Sequence, residues 1–375
     1  MAKVLVGMSG GVDSSVTVHL LMQQGFEVEG LSFILWEARN RSGPGACCSL
    51  EAKNSASQTA EKLGVSHTAL DVRGEFIEKV IEPFAEAYTK GMTPNPCILC
   101  NRFVKFPFLL REAEKRGAEY IATGHYAKVV PSSEPGFRNS EFLGSSPGSR
   151  HSSLFKGVDP KKDQSYVLYL LGQDTLNRLV LPLGDYRKED IRTIARSLNL
   201  AAADRPESQE ICFIEDKSYF RFIEKLSPFA GEPGPILDRK GKVLGTHKGI
   251  YCYTIGQRKG LGIASLEPHY VIKIDTRKNA IYVGSKEEAK SRRVSVEDVH
   301  WILPPRERVI RATVKVRSMM EARTASVELH DEGVLVLFDE PQWAPAPGQS
   351  AVFYHKDRVL GGGVIVEGLY TDEEM

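Results

Sequence analysis

A Cys-x-x-Cys pair is the feature of the sequence that is best suited to covalent chemistry. Cys97 and Cys100 lie in Thr-Pro-Asn-Pro-Cys-Ile-Leu-Cys-Asn, residues 93–101, where two prolines stiffen the backbone. Such a pair acts as a redox couple or as half of a metal site, and the sequence has no second Cys-x-x-Cys to complete a zinc site. Together with Cys212, these thiols would suit sulfur transfer, in which one cysteine holds a persulfide and another attacks or accepts it.

A glycine-rich segment near the start of the chain has the composition of a phosphate-binding loop. Ser-Gly-Gly-Val-Asp-Ser-Ser, residues 9–15, follows a β-branched run at 3–8 and precedes helical apolar spacing at 15–24. Backbone N–H groups and the positive end of a helix dipole would converge there on a phosphate or pyrophosphate. The segment lacks the lysine of a Walker loop and the G-x-G-x-x-G of a dinucleotide fold. The alternative is a tight turn capped by Ser14.

The elements that must position these groups alternate along the first half of the chain. Apolar runs lie at 28–34, 67–72 and 120–123, with helical patterns at 51–63 and 106–116. This alternation predicts an α/β fold with a parallel sheet covered by helices. Gly124 directly follows one of these runs, so we expect it at the carboxyl edge of the sheet, where α/β proteins bind ligands.

The second half of the chain has a different pattern. Residues 131–153 are rich in Ser, Gly and Pro and are interpreted as a long mobile surface loop, and a helix is predicted at 191–198. Glycine-punctuated strands are predicted at 235–238, 249–254, 270–275 and 280–283, and further strands without helices at 309–316, 325–329, 333–338, 350–354 and 360–366. We therefore expect an α/β domain at 1–214, a small, mostly β central domain at 215–289 and a C-terminal β-barrel at 290–375.

Composition limits the class of protein. With 375 residues, 42% hydrophobic and 26% charged, the chain is long enough for two or three domains and is not disordered, collagen-like or coiled-coil. No apolar run reaches the roughly 18 residues that cross a bilayer, and no signal peptide is evident, which predicts a cytoplasmic protein without a membrane partner. Six cysteines are too few for a disulfide scaffold. Cys47 and Cys48 are interpreted as a surface pair, and Cys252 as a small core residue in a strand.

Charge is concentrated in one segment. Formal net charge is +1, but residues 273–317 contain twelve Lys and Arg against six Asp and Glu, a local charge of +6. A basic surface of this kind can hold nucleic-acid phosphates without reading a sequence. The alternative for each side chain taken singly is an ordinary solvated face.

The loop at 9–15 resembles the PP-loop of ATP pyrophosphatases, which cleave ATP between its α- and β-phosphates and activate a carbonyl oxygen as an adenylate. The resemblance implies ATP and Mg²⁺ as cofactors, with Asp13 near the metal ion and Phe33 near the adenine. It also implies a nucleotide site formed by Gly7, Met8, Ser9, Gly10, Gly11, Val12, Asp13, Ser14 and Gly124.

Further motifs extend the resemblance over nearly the whole chain. They are residues 7–15, 93–101, Ala-Thr-Gly-His-Tyr at 122–126, Lys-Asp-Gln-Ser-Tyr at 162–166, Ile-Cys-Phe-Ile at 211–214, Thr-Ile-Gly-Gln-Arg-Lys-Gly-Leu-Gly at 254–262 and Pro-Gly-Gln-Ser-Ala-Val-Phe-Tyr at 347–354. In this order they resemble the bacterial tRNA-specific 2-thiouridylase family. The resemblance implies ATP-dependent transfer of sulfur to C2 of the wobble uridine in tRNAs for Lys, Glu and Gln, with release of AMP and pyrophosphate.

The resemblance also implies residue roles. Cys100 corresponds to the family's nucleophile and Cys212 to its persulfide carrier, and the two would form a disulfide during turnover. Asn95, Pro96 and Cys97 match the segment that faces the target base. The tRNA-contact positions matched are His125, Lys162, Asp163, Gln164, Arg317, Ser318 and Gln349. The implied partners are the anticodon stem-loop of tRNA and a sulfur donor or relay protein, or free sulfide.

One position departs from the family pattern. Cys97 stands where the family form Asn-Pro-Asp-x-x-Cys has aspartate, and a soft thiolate is no chemical equivalent of a carboxylate. Cys97, Cys100 and Cys212 then resemble the three-cysteine set of related tRNA thiolases that carry a four-iron four-sulfur cluster. Two hypotheses stay open: the three cysteines ligate such a cluster, or Cys97 packs beside the base while the Cys212–Cys100 relay operates.

Two other functions also remain open. An amidating PP-loop synthetase would need an ammonia source and no essential thiol. A non-catalytic RNA-binding protein would have lost its ATPase function, against which the intact loop at 9–14 argues.

Overall fold

The computed structural model describes residues 1–36, 50–131, 151–200, 202–203, 211–214, 218–226 and 231–369. The predictions for Cys47, Cys48 and the interior of the long loop, residues 132–150, lie outside these ranges.

Helices and strands follow one another along the described ranges. The α-helices are α1 (Val12–Gln23), α2 (Leu50–Leu63), α3 (Arg73–Phe76), α4 (Glu82–Thr89), α5 (Pro96–Cys100), α6 (Phe106–Lys115), α7 (Gln173–Leu176), α8 (Lys188–Ser197) and α9 (Tyr219–Leu226). The strands are β1 (Lys3–Gly7), β2 (Glu27–Ile34), β3 (Ser66–Asp71), β4 (Tyr120–Thr123), β5 (Ala127–Pro131), β6 (Ser152–Lys156), β7 (Leu179–Val180), β8 (Gly234–Leu237), β9 (Val243–His247), β10 (Tyr270–Asp275), β11 (Ala280–Gly284), β12 (Lys290–Trp301), β13 (Val309–Lys315), β14 (Arg323–His330), β15 (Gly333–Trp343), β16 (Ser350–His355) and β17 (Arg358–Leu369). Ile77–Ile81 and Asn101–Lys105 are π-helical turns, and Ser165–Leu168, Pro182–Asp185 and Ile250–Cys252 are 3₁₀ helices.

The chain divides into two compact units. The first contains Met1–Val80, Pro96–Lys217 and Asp357–Val359, and the second contains Ile81–Asn95, Ser218–Lys356 and Leu360–Met375. Each unit is described by itself below.

A five-stranded parallel sheet organises the first unit, in the order β3-β2-β1-β4-β7. Val4, Leu5 and Val6 of the central strand are fully buried, which explains their continuous apolar run, since a strand covered on both faces needs no alternation. Val18 and Leu21 of α1 pack against that strand. The α/β fold class predicted for the N-terminal part is confirmed.

An antiparallel hairpin also belongs to the first unit. β5 pairs with β6 from Ala127 opposite Lys156 to Pro131 opposite Ser152. The predicted loop bounds were therefore wrong at both ends, where the pairing of Pro131 with Ser152 and of Val130 with Ser153 extends the strands.

Two β structures make up most of the second unit. β8 to β11 form a four-stranded sheet in the order β10-β11-β8-β9. The barrel follows the order β12-β15-β14-β13-β16-β17, and β12 also pairs with β17, which closes it. The predicted central β region and C-terminal β-barrel are confirmed. Closure removes the exposed strand edges that would otherwise invite pairing with another chain.

The strand predicted at 249–254 was wrong. Residues Ile250–Cys252 form a 3₁₀ helix, in which Cys252 and Tyr253 donate backbone hydrogen bonds to Gly249 and Ile250 at 3.1 Å each. Gly249 has a φ of 141°, and a Cβ there would meet the ring of Tyr251 at 2.3 Å. The ring of Tyr251 therefore packs on Gly249. Cys252 lies half-buried in this 3₁₀ turn rather than in a strand.

No helix in the described part of the chain combines the length and hydrophobicity needed to cross a bilayer.

Candidate active site

The segment at 9–15 forms a tight loop between β1 and α1. Gly10 has a φ of 73°, in the left-handed region that glycine adopts at low cost. Gly11 is the N-cap residue of α1, and as a glycine it has no side chain that could accept a hydrogen bond from the first N–H groups of the helix. The first N–H groups of the helix, which have no intrahelical partners, are therefore placed to bind an anion together with the helix dipole.

Serine hydroxyls fix the loop through its carbonyl groups. Ser32 donates to the Met8 carbonyl at 2.7 Å, Ser55 donates to the Gly10 carbonyl at 3.1 Å, and Ser15 donates to the Gly11 carbonyl at 2.9 Å. Because the carbonyl oxygens are engaged by the surrounding structure, the peptide planes are held in one orientation. The sequence indicated the glycines but not Ser32 and Ser55, which come from β2 and α2.

Gly124 packs directly against this loop. A Cβ at position 124 would lie 2.8 Å from the Ser14 nitrogen and 2.9 Å from the Asp13 carbonyl carbon, which is closer than real Cβ contacts allow. β1 and β4 are parallel neighbours in register, so the segments that follow them emerge together. The structure thus places Gly124 against the loop, at the edge predicted from the sequence.

Asp13 is the centre of a charged network. The Lys188 ammonium donates to both carboxylate oxygens of Asp13 at 2.7 Å each, and the Tyr126 hydroxyl donates to Oδ1 at 2.6 Å. The Lys188 side chain is only 9% exposed, whereas that of Asp13 is 32% exposed. The carboxylate therefore faces solvent on one side while its cation is buried.

Packing of α8 on α1 holds Lys188 in this position. Val12, Val16, Ile191 and Ala195 share one buried cluster with Tyr126. Sequence reasoning missed Lys188, although a signal was present. A lysine at the first residue of a helix opposes the macrodipole, so its presence there calls for another partner.

The predicted adenine neighbour, Phe33, is partly buried on β2, in register with Leu70 of β3. Its neighbour Ser32 also contacts His67, at 2.8 Å between Oγ and Nε2. Phe33 lies near the carboxyl end of the strand beside β1, which is the sheet edge where the loop lies. A role in binding adenine stays a prediction.

His125 is held as a neutral imidazole. Its Nδ1 is 2.7 Å from the Thr123 hydroxyl, and its ring stacks on Phe106 with centroids 6.0 Å apart. Burial, and secondarily the charge of Lys105, lowers the pKa of His125 from 6.5 to about 3. Any contact of His125 with RNA would therefore use hydrogen bonding or stacking rather than positive charge.

The Cys-x-x-Cys pair lies in a helical segment of the first unit. Cys97 is exposed and Cys100 is buried in α5, and Cys100 directly precedes the π-helical turn Asn101–Lys105. Such turns recur at functional sites. Phe106 begins α6, roughly 9 Å along the helix axis from Cys100, and it stacks on His125 beside the loop. This contact joins the helix that follows Cys100 to the segment that follows β4.

Cys212 lies in the same unit and is partly exposed. The adjacent Phe213 is buried and meets Phe76 edge to face at 5.8 Å, which anchors the segment. Among the described residues no three His, Cys, Asp or Glu side chains come together as a metal-binding group. Cys97, Cys100 and Cys212 are therefore not arranged as a cluster ligand set, and no disulfide joins the described cysteines.

Two predicted RNA contacts of the first unit make bonds within the chain. Asp163 accepts hydrogen bonds from the Gly157 and Ser165 nitrogens at 3.2 and 3.1 Å. Gln164 accepts one from the Tyr126 nitrogen at 3.0 Å, so it supports the residue that bonds Asp13. Lys162, next to them, is partly exposed.

The predicted contacts of the second unit fall into two places. Gln349 donates to the Thr93 carbonyl at 2.7 Å, and Thr93 donates to the Pro347 carbonyl at 2.7 Å, so the barrel segment holds the backbone two residues before Asn95. Arg317 donates to the carbonyls of Ile255 and Ala344 at 2.8 Å each, and Ser318 follows it, partly exposed.

Part of the basic segment at 273–317 is engaged in the fold. Lys290 pairs with Glu287 at 2.8 Å, and Arg311 pairs with Asp339 at 2.7 Å. Lys290 is partly exposed and Arg311 is exposed, and ion pairs at the surface contribute little to stability, so a polyanion can compete for these cations.

Three family models match consecutive parts of the chain. A tRNA methyl transferase HUP domain matches residues 2–216, a tRNA methyl transferase PRC-barrel domain matches 221–285, and an aminomethyltransferase beta-barrel domain matches 291–365.

Curated relatives match almost from end to end. The tRNA-specific 2-thiouridylase MnmA of Carboxydothermus hydrogenoformans is 44% identical over 375 residues, with 98% of each chain covered. The protein of the same name from Acetivibrio thermocellus is 43% identical over 368 residues, covering 97% of this chain and 99% of that one. A solved complex of a 4-thiouridine synthetase with RNA and bound ATP is 14% identical, covers 61% of this chain and 51% of that chain, and has a TM-score of 0.34.

Gly124→Ala should displace the loop, because the new methyl group meets backbone atoms at 2.8 and 2.9 Å that cannot move without the loop. We expect the free energy of unfolding to fall by about 1–3 kcal/mol and amide hydrogen exchange in residues 9–15 to accelerate. Gly74→Ala is the matched control, since a methyl group on the helical Gly74 would meet no atom within 4 Å. Equal exchange in the two variants would contradict this packing.

The lowered pKa of His125 predicts a pH dependence of stability. Unfolding restores the ordinary pKa of 6.5 from about 3, so the unfolded chain binds a proton that the folded chain does not. Stability from this residue is full above pH 6.5 and is lost as the pH falls towards 3, by about 1.4 kcal/mol per pH unit. Chemical denaturation across this range should show the stability of the wild type falling relative to that of His125→Gln as the pH falls, and parallel curves would count against the neutral imidazole.

Proposed function

The chain belongs to the tRNA-specific 2-thiouridylase family, and from this premise we propose that it adenylates O2 of the wobble uridine in tRNAs for Lys, Glu and Gln and replaces this oxygen with sulfur. The observation that carries the proposal is the loop after β1, closed by Gly124 and with the N-terminus of α1 open to an anion. A loop of this kind suits the triphosphate of ATP, whose pyrophosphate is the leaving group.

In the first step, O2 of the uridine attacks the α-phosphorus of ATP. The new O–P bond forms as the bond to the bridging oxygen of the β-phosphate breaks, and the electron pair leaves with pyrophosphate. Adenylated uridine loses its N3 proton and regains it when the thiocarbonyl forms. Asp13, one-third exposed, would hold Mg²⁺ jointly with the phosphates, because Mg²⁺ is usually bound by one or two carboxylates plus phosphate oxygens. The ion would offset phosphate charge there.

In the second step, we assign sulfur delivery to Cys212 and Cys100. The terminal sulfur of a Cys212 persulfide attacks C2, and AMP leaves with the electrons of the C2–O bond. The Cys100 thiolate then attacks Sγ of Cys212, which breaks the bond to the transferred sulfur and leaves a Cys100–Cys212 disulfide. A thiol reductant supplies the two electrons that restore the thiols, and a persulfide donor reloads Cys212.

The surroundings of the cysteines support this division. Cys212 is partly exposed beside the anchored Phe213, where a donor protein can reach it. Cys100 is buried, which protects the attacking thiol from unrelated oxidants. Exposed Cys97, with Asn95 and Pro96, would face the target base, and the anticodon base must leave its stack to reach these residues. The neutral His125, with Lys162, Asp163, Gln164, Arg317, Ser318 and Gln349, would contact the tRNA, and Phe33 the adenine.

Cys100→Ser and Cys212→Ser should each reduce tRNA thiolation by at least about 1000-fold, because each removes a sulfur atom that forms bonds in the reaction. Pyrophosphate release with tRNA and ATP should persist to about one equivalent, since adenylation needs neither thiol. Mercury-containing gels measure thiolated tRNA, and Cys252→Ser in the 3₁₀ turn is the control. Full activity of Cys100→Ser would favour an amidating synthetase, and no pyrophosphate release from wild type would favour a non-catalytic RNA-binding protein.

The role of Cys97 is tested by metal content. Because the three cysteines do not form a ligand set, we expect anaerobically purified protein that thiolates tRNA with a persulfide donor to lack stoichiometric iron and acid-labile sulfide. Cys97→Asp should keep its activity, since a carboxylate supports base contact but poorly replaces a thiolate on iron. A near-stoichiometric cluster that is lost in Cys97→Ser and Cys97→Asp together with activity would establish the cluster hypothesis instead.

A further inference from the structure

The Lys188–Asp13 pair lies at the place where the phosphates of ATP must bind. Asp13 is in the first turn of α1, and the buried ammonium of Lys188 reaches both of its carboxylate oxygens. The pair itself has no net charge, but it keeps an ammonium group beside the partial positive charge of the helix N-terminus. An anion bound at this end of α1 comes within reach of the ammonium.

We propose that Lys188 is a catalytic residue: its ammonium group binds the phosphate chain of ATP and stabilises the charge that builds up on pyrophosphate as the α–β bond breaks. The inference rests on the proposed function. In the nucleotide-free state, Asp13 keeps this ammonium group at the loop, and the flexible side chain of lysine lets it turn to the incoming phosphates without movement of α8.

The alternative is that Lys188 only neutralises Asp13. Two observations argue against a purely structural pair. First, Lys188 is the N-terminal residue of α8, where its charge opposes the helix dipole, and it is almost fully buried. Both features destabilise the fold. A neutral polar residue at position 13 would need no such cation. Second, the Tyr126 hydroxyl donates to Asp13 independently at 2.6 Å, so the carboxylate stays hydrogen-bonded when the ammonium turns away.

Nucleotide binding separates the two roles. Calorimetry on the full chain with Mg²⁺ would compare α,β-methylene-ATP, which cannot be cleaved at the α–β bond, with AMP, which lacks the β- and γ-phosphates. We expect Lys188→Met to weaken binding of α,β-methylene-ATP roughly 10- to 100-fold, through loss of a charge-assisted hydrogen bond. AMP affinity should change less than about threefold, since AMP carries only one phosphate.

The double variant Asp13→Asn/Lys188→Met keeps the test valid if the single variant unfolds. It removes both charges, so it should regain the stability lost by leaving the Asp13 charge without its cation. Because Asp13 would also hold Mg²⁺, the reference for this variant is Asp13→Asn, relative to which it should still bind α,β-methylene-ATP roughly 10- to 100-fold more weakly. Lys128→Met is the matched control, since Lys128 also pairs with an aspartate in the same unit, Asp185 at 2.6 Å, but is not bonded to Asp13. At saturating ATP, pyrophosphate release by Lys188→Met should fall roughly 100-fold, as for loss of one group that stabilises a transition state.

The outcomes distinguish this inference from the proposed function. Wild-type affinity and wild-type pyrophosphate release in Lys188→Met, or equal affinities of the double variant and Asp13→Asn for α,β-methylene-ATP, would overturn the role of Lys188 and leave the proposed function intact. A wild-type protein that bound neither nucleotide would instead overturn the proposed function and, with it, the inference.

Discussion

The parallel pairing of β1 with β4 is the constraint on which the site depends. The strands run in register from Val4 opposite Tyr120 to Gly7 opposite Thr123, so the segments that follow them leave the sheet side by side. Strand order reverses at this point, with β2 and β3 on one side and β7 on the other, which is where α/β sheets open a ligand crevice. Backbone meets backbone there because position 124 has no side chain.

The buried charge of Lys188 is the second constraint on the site. A lysine that is 9% exposed must be paired, and its partner Asp13 is itself placed by the loop. Tyr126 and Gln164 extend the same network from the segment after β4 and from the turn before Ser165. Helix α8 reaches the network because its apolar face packs on α1. Tyr126 and Lys188, which are far apart in sequence, therefore both bond to the carboxylate of Asp13, so we expect a substitution at either to affect the loop.

Aromatic contacts hold the segments that carry Cys100 and Cys212. The stack of Phe106 on His125 joins the helix that follows Cys100 to the segment that follows β4, and Phe213 against Phe76 fixes the backbone beside Cys212. In the second unit, the Gln349 and Pro347 contacts hold Thr93, just before the residues proposed to meet the base. The proposed adenylation and sulfur transfer would need one uridine to be reached by both phosphate and thiol, and these contacts limit the freedom of the segments that carry the proposed residues.

Local sequence determined the elements and the loop. Apolar runs, glycines and the Cys-x-x-Cys indicated β1 to β4, the α/β class, the barrel strands from β13 onward and the position of Gly124, because each depends on neighbours a few residues away. Strand β12 was missed because charged residues such as Arg292 and Arg293 interrupt its apolar pattern. Its apolar residues Val294 and Val296 become buried only when β12 pairs with β15 and β17 and the barrel closes. The bonds of Lys188 to Asp13 and of Ser32 and Ser55 to the loop join residues far apart in sequence, so local patterns did not indicate them. A 3₁₀ helix replaces the strand predicted at 249–254, where the ring of Tyr251 packs on Gly249. Periodicity encodes which face of an element is buried, whereas the partner that buries it is decided by the tertiary structure.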